Sequence, residues 1–366
     1  MRVLFLAPAN SIHTVRWVNA LSEKNCKVCL ISLPNHVMSE DKIAPNVQVL
    51  YLPFSVNKGY YLNAPFVKKI VCRFCPDVIN AHYASGYGTL ARIAQMPHLI
   101  LSVWGSDVYS FPYESEIKMC IIKKNLRYAE KIASTSLSMS YQVQKLIGKR
   151  DISITPFGID INVFKKKPAK KKEKQEFTIG IVKTLSYNYG IDYVIKAFKI
   201  FDEKLSSHDI KRQLYIYGEG EEKSALIQLC MDLNLSDKIK FFGKIENDKV
   251  PEALNEMDLV CFGSRLESFG VSAVEAMACE LPVIATDAEG FKEVLEPGVT
   301  GYIVHQDAPE EMAMYIMKLF YEPEQRKKMG REGRKRVVKY YNWEENVRKM
   351  IELYNSINMD REEWDN

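Results

Sequence analysis

The 366-residue chain is long enough for two ordinary domains, each with its own core. With 47% hydrophobic and 26% charged residues it reads as a globular protein, and a formal net charge of +4 is too mild to point to a nucleic-acid partner. No apolar run is long enough to span a bilayer, and Arg2 followed by Val-Leu-Phe-Leu-Ala reads as a first strand rather than a signal peptide, which makes the cytoplasm the expected compartment.

In chain order, short apolar runs predict strands over 3–7, 28–33, 47–52, 78–81, 99–103, 131–134 and 152–155. Amphipathic periodicity predicts helices between several of them, over 13–23, 87–94, 117–128 and 138–146. Strands alternating with helices imply a parallel sheet covered on both faces. A lysine-rich run over 165–176 then reads as a solvated linker, with attraction to an anionic membrane surface as the functional alternative. After it the alternation restarts, with strands over 177–182, 213–217, 240–242, 259–262, 282–285 and 302–304. Helices are expected over 193–205, 222–233, 250–256, 271–278, 309–320 and 323–339, and a last amphipathic helix over 343–357. The fold class is therefore α/β, with two Rossmann-like, doubly wound parallel-sheet domains facing across a cleft. The expected division is 1–164, the linker 165–176, 177–340, and a segment 341–366 that packs back on the first domain.

The pairs Cys26/Cys29 and Cys72/Cys75 have a zinc-like spacing. The first pair falls on a strand, where residues three apart face opposite ways, and the second ends a helical stretch before Pro76. Both read as structural, so no metal site is expected.

The stretch Arg265-Leu-Glu-Ser-Phe-Gly-Val-Ser-Ala-Val-Glu-Ala-Met-Ala278 follows a buried strand and opens a helix, with Ser268 as the expected N-cap and Gly270 leaving backbone room. A helix start at the carboxyl edge of a parallel sheet favours a phosphate. Glu267 before the helix and Glu275 inside it are placed to accept hydrogen bonds from hydroxyls on either side of a diphosphate, the shape of a nucleotide sugar. Lys183 would leave the carboxyl end of the second domain's first strand as a point charge for that diphosphate. Gly218 in Tyr217-Gly-Glu-Gly220 and Lys244-Ile245 after another strand offer close backbone approach. In the first domain His13, Arg16, His82, Trp104 and Asp107 fall just after strands, a converging polar set. There is no Walker A sequence, no Gly-x-Gly-x-x-Gly after the first strand and no Asp-x-Asp. Phosphate charge is then expected to be met by lysine, backbone N–H groups and a helix dipole without a metal.

These motifs resemble the family-4 glycosyltransferases, retaining enzymes of the two-Rossmann-domain fold called GT-B, over nearly the full length. The most specific piece is Glu267-Ser-Phe-Gly-x-x-x-x-Glu275 with Ala276 to Thr286 behind it. Supporting pieces are Trp104-Gly-Ser-Asp107, Pro156-Phe-Gly-Ile-Asp160, Tyr217-Gly-Glu-Gly220 and Gly298-Val-Thr-Gly-Tyr302. The resemblance implies Glu275 on the ribose hydroxyls, Glu267 on the donor sugar, and backbone amides of Phe269, Gly270 and Val271 on the diphosphate or sugar. Lys183, Glu267 and Asp107 form the expected catalytic set. Gly218, Lys244 and Ile245 complete the donor side, and His13, Arg16, His82 and Trp104 the acceptor side. No cofactor is implied beyond a substrate nucleotide-diphosphate sugar, a UDP-sugar first, with a saccharide or lipid-linked acceptor and a membrane surface as possible partners. Two positions depart from the family: Tyr189 stands where lysine is usual, and Trp104 where many members have histidine. Alternatives on the same fold are a nucleotide-sugar 2-epimerase and a non-catalytic nucleotide-sugar binder.

Overall fold

A computed structural model describes residues 1–37, 42–168, 176–205 and 209–357. The chain forms two compact units, Met1–Phe157 with Glu344–Asn366, and Gly158–Trp343. The first contains β1 (Arg2–Leu6), α1 (Ile12–Glu23), β2 (Lys27–Ser32), β3 (Gln48–Tyr51), α2 (Val56–Leu62), α3 (Ala64–Phe74), β4 (Val78–His82) and α4 (Tyr87–Ile93). It continues with β5 (Leu99–Val103), α5 (Ser106–Tyr109), α6 (Glu116–Tyr128), β6 (Lys131–Ser134), α7 (Leu137–Ile147) and β7 (Ser153–Ile154). Its sheet runs β3-β2-β1-β4-β5-β6-β7, with every neighbouring pair parallel.

The second unit holds β8 (Glu176–Val182), α8 (Ile191–Lys204), β9 (Lys211–Tyr217), α9 (Lys223–Asp232), β10 (Ile239–Gly243), α10 (Val250–Leu254), β11 (Leu259–Phe262) and α11 (Val271–Ala278). After these come β12 (Val283–Thr286), α12 (Glu289–Val294), β13 (Gly301–Val304), α13 (Pro309–Tyr321) and α14 (Pro323–Tyr340). Its parallel sheet runs β10-β9-β8-β11-β12-β13. Both sheets bury apolar runs on two faces, which is why β1 and β11 read as unbroken hydrophobic stretches rather than alternating ones.

The last helix, α15 (Trp343–Asn355), belongs with the first unit from Glu344 onward. Its Tyr354 hydroxyl donates to Asn80 Oδ1 at 2.8 Å, and Asn346 Nδ2 donates to the Pro156 carbonyl at 3.2 Å. The unit boundary falls at Phe157/Gly158 rather than within the lysine run. Residues 169–175 of that run lie outside the described residues, but its first part is anchored. Asn255, at the end of α10, accepts from the Lys167 amide at 2.7 Å and donates to the Lys165 carbonyl at 3.0 Å. The lysines there are exposed, yet the backbone has a fixed partner in the second unit.

Candidate active site

In the second unit β8 and β11 are neighbours, while the chain leaves β8 for β9 on one side and β11 for β12 on the other. The connections diverge there, so the carboxyl edge between the two strands is the open position of the sheet. Lys183 follows β8 and Glu267 lies in the loop after β11. Lys183 Nζ donates to Glu267 Oε2 at 2.6 Å and stands 4.3 Å from the centre of the Tyr189 ring. Only 12% and 9% of the two side chains remain exposed. Burial alone would lower the ammonium pKa, but the charge of Glu267, followed by Tyr189 and Glu275, outweighs it and holds Lys183 above its ordinary value. Lys183 is thus a cation at neutral pH, gripped from two sides.

The neighbouring strand ends are fixed by backbone contacts. The Lys183 amide donates to the Tyr217 carbonyl at 2.9 Å, and the Gly218 amide to the Gly243 carbonyl at 2.8 Å. Gly218 has φ of 148°, and a Cβ there would lie 1.9 Å from the Lys183 carbonyl oxygen. Only glycine fits that approach. Phe242 stacks on Tyr217 at 4.5 Å, and beyond it Lys244 is exposed and Ile245 half-buried.

The start of α11 differs from expectation. Its N-cap is Gly270 in the left-handed region, φ 94°, rather than Ser268, because the helix starts at Val271, two residues later than a cap at Ser268 would place it. Helix geometry leaves the amides of Val271 and Ser272 without intrahelical acceptors. The Phe269 side chain is buried edge-on to Tyr341, so only its backbone can serve a ligand. The Gly290 amide donates to the Glu267 carbonyl at 2.9 Å, and a Cβ on Gly290 would meet the Phe269 nitrogen at 2.5 Å. The loop is therefore pressed into place from below. Glu275 is half-buried inside α11 and close enough to add to the field on Lys183.

In the first unit the strand order turns between β1 and β4, and the rings of His13 and His82 both meet Trp104. His13 stacks on Phe157 at 3.9 Å and meets Trp104 edge-on at 5.7 Å. Burial, then Arg16, pushes the His13 pKa down to about 4, so its ring is neutral at pH 7.

His82 requires correction as an acceptor contact. It is 1% exposed, and both ring nitrogens are used: Trp104 Nε1 donates to Nδ1 at 3.1 Å, which leaves Nε2 to donate to Asn80 Oδ1 at 2.8 Å. Burial, then His13, pushes its pKa down to about 3. Asp107, expected in the catalytic set, is fully buried. Its carboxylate accepts from the amides of Ala84 at 2.7 Å, Gly105 at 2.8 Å and Trp104 at 3.1 Å. Burial raises its pKa despite those bonds. Asp107 therefore shapes the turn that presents Trp104 rather than meeting substrate.

The family profile for glycosyl transferases group 1 matches residues 162–336, and that for glycosyl transferase 4-like proteins matches residues 2–136. The chain belongs to the group 1 glycosyltransferases. This glycosyltransferase is 26% identical to the N-acetyl-alpha-D-glucosaminyl L-malate synthase of Bacillus anthracis, over 76% of the chain and 74% of the relative. It is also 26% identical to the capsular polysaccharide biosynthesis glycosyltransferase CapM of Staphylococcus aureus, over 74% and 75% of the two. In fold it is similar to the sucrose-phosphate synthase of Thermosynechococcus elongatus, with a TM-score of 0.80, 17% identity, and 97% and 98% of the chains covered. Anabaena HepE in complex with UDP superimposes with a TM-score of 0.81 at 20% identity, over 98% and 100% of the chains. The pair of Rossmann-like units is the GT-B fold of these enzymes.

Among the described residues no group of histidine, cysteine and carboxylate side chains is arranged to hold a metal, and no helix is long and apolar enough to cross a membrane. The eight cysteines are free; Cys26 and Cys29 are buried, whereas Cys72 and Cys75 are exposed. Two participants escaped sequence reasoning. Arg265, whose side chain ties together the loops after β8 and β11, stood in the singled-out stretch without a role. Tyr354 meets Asn80 from the far end of the chain, a pairing that periodicity cannot reveal.

Proposed function

We propose that this glycosyltransferase moves a sugar from a nucleotide-diphosphate sugar to a hydroxyl of a saccharide or lipid-linked acceptor, with retention at the anomeric carbon, in the synthesis of bacterial surface polysaccharide or glycoconjugate. The carrying observation is the buried Lys183–Glu267 pair beside the start of α11 at the open edge of the second sheet. Lys183 and the amides of Gly270 and Val271 meet the diphosphate, Glu267 the sugar hydroxyls, and Glu275 the ribose. The bond between the anomeric carbon and the diphosphate oxygen breaks with its electron pair going to the diphosphate. The acceptor oxygen bonds to the same face, and its proton passes to the departing phosphate oxygen. The protein stabilises the leaving charge through preorganised donors and needs no nucleophile of its own. A metal-free reaction is the form of this reading that the cation and the helix start support. UDP comes first among nucleotides because similarly folded HepE structures hold UDP and UDP-glucose.

The test is a thermal-shift screen against UDP-, GDP- and ADP-sugars, followed by product analysis with and without acceptor. One donor raises the melting temperature by mass action, and Glu267→Ala and Lys183→Ala both abolish transfer. No shift with any donor, or undiminished transfer by both variants, rejects the reading. Conversion of the donor with no acceptor present would favour the 2-epimerase.

For a lipid-linked acceptor, a face of α2 and α3 exposes Tyr61, Leu62 and Phe66 beside Lys58, Lys68 and Lys69. Aromatic and basic side chains together suit an anionic membrane surface. If the protein does not float with anionic liposomes, the membrane drops out of this proposal.

A further inference from the structure

One side chain fastens together the two loops that hold Lys183. The Arg265 guanidinium lies between the rings of Tyr187 and Tyr193, 4.2 and 4.3 Å from their centres. Its two terminal nitrogens donate to the two oxygens of Asp192 at 3.1 and 3.0 Å, and Nη1 also donates to the Tyr187 carbonyl at 2.7 Å. The amides of Arg265 and Leu266 both donate to the Asn188 carbonyl, at 2.8 and 3.2 Å. Beside them Gly190 and Gly263 meet backbone to backbone: a Cβ on Gly190 would lie 1.9 Å from the Gly263 oxygen, and the reverse 2.1 Å. The short 3-10 turn Tyr187–Tyr189 is thereby locked onto the loop that carries Glu267. One arm supplies the Tyr189 ring under the ammonium and the other supplies the carboxylate.

We infer that Arg265, held by Asp192, is a positioning residue for sugar transfer: it sets where Tyr189 and Glu267 stand, and so where the Lys183 ammonium meets the donor diphosphate. The inference rests on Lys183 as a donor contact, as proposed above. A planar guanidinium stacks on two rings and forms a two-pronged ion pair at once, whereas a lysine cannot do both. A staple that served stability alone would leave the donor affinity of folded protein unchanged. A positioning residue loses its effect when the group it positions is gone.

The test measures UDP affinity by calorimetry on the full chain (or GDP or ADP affinity where the screen ranks that nucleotide first), for wild type, Arg265→Lys, Lys183→Ala and the double variant. Thermal melts without ligand run alongside. Expected are a loss on the order of tenfold in affinity for Arg265→Lys and no further loss in the double variant beyond that of Lys183→Ala. The melts establish that every variant is folded at the temperature of the calorimetry. Unchanged affinity in Arg265→Lys, or losses that simply multiply in the double variant, overturns the positioning role. Wild-type affinity in Lys183→Ala instead overturns the donor reading itself, and the two failures are distinguishable.

Discussion

The ammonium of Lys183 and the carboxylate of Glu267 meet at 2.6 Å at the edge where the order of the second sheet reverses, with about a tenth of each side chain exposed. Two residues far apart in sequence are adjacent because β8 and β11 are neighbours in the sheet. Removing one partner of such a pair strands the other charge in a site that water barely reaches, which costs more than removing both.

Lys183→Met is therefore expected to destabilise the protein by about 3 kcal/mol, and the double variant Lys183→Met with Glu267→Gln by clearly less. Urea unfolding of the two proteins checks this. Equal losses would show that the pair is already well hydrated.

Two glycines with positive φ should respond differently to a methyl group. Gly298, φ 78°, has no atom within 4 Å of an added Cβ, so Gly298→Ala carries backbone strain alone, about 1 kcal/mol. At Gly218 the Cβ would strike the Lys183 carbonyl, so Gly218→Ala must displace the strand end that presents the lysine. Its melting temperature should fall further than that of Gly298→Ala, and its donor affinity should fall while that of Gly298→Ala holds.

Asp107 is the acceptor for three backbone amides in a fully buried turn. Asp107→Ala leaves all three unpaired, at about 1 kcal/mol or more each. A loss of roughly 3 kcal/mol in chemical denaturation is expected. A loss under 1 kcal/mol would mean that water replaces the carboxylate.

His82 gives stability a pH dependence. Its folded pKa, about 3, lies below the unfolded value near 6.5, so the unfolded chain takes up the proton first. Stability contributed by the neutral ring is fully present above pH 6.5 and is lost as pH falls towards 3. Between pH 7 and 5 the loss is about 2 kcal/mol from this residue, and His13, at about 4, acts in the same direction. Denaturation of wild type and His82→Gln at both pH values checks it; the variant should show the smaller change.

Much of this molecule was legible before any coordinates. Helix α11 falls on residues 271–278 as its pattern requires, and β5, β6 and β11 keep their predicted bounds; β11 is apolar throughout because both its faces are buried. The capping of α11 was not legible: the chain turns on Gly270 in the left-handed region, two residues beyond Ser268, and sequence cannot say which residue it turns on. Helix α12 was missed because six residues are too few to show a period. Of the polar residues expected together at strand ends, His82 and Asp107 point inward to bonded partners. A residue's place on a strand fixes its height in the sheet, not whether solvent reaches its side chain.

The sequence by itself determined two parallel-sheet units, their alternation, and the pair Glu267 and Glu275 on a strand–loop–helix edge, since these depend on local periodicity and turn chemistry. Only the tertiary structure decided what surrounds them: that Lys183 is held by Glu267 and Tyr189, that Arg265 ties their loops, and that Tyr354 closes the Asn80–His82–Trp104 chain. Those contacts join residues whose separation along the chain leaves no periodic trace. Packing alone brings them within bonding distance.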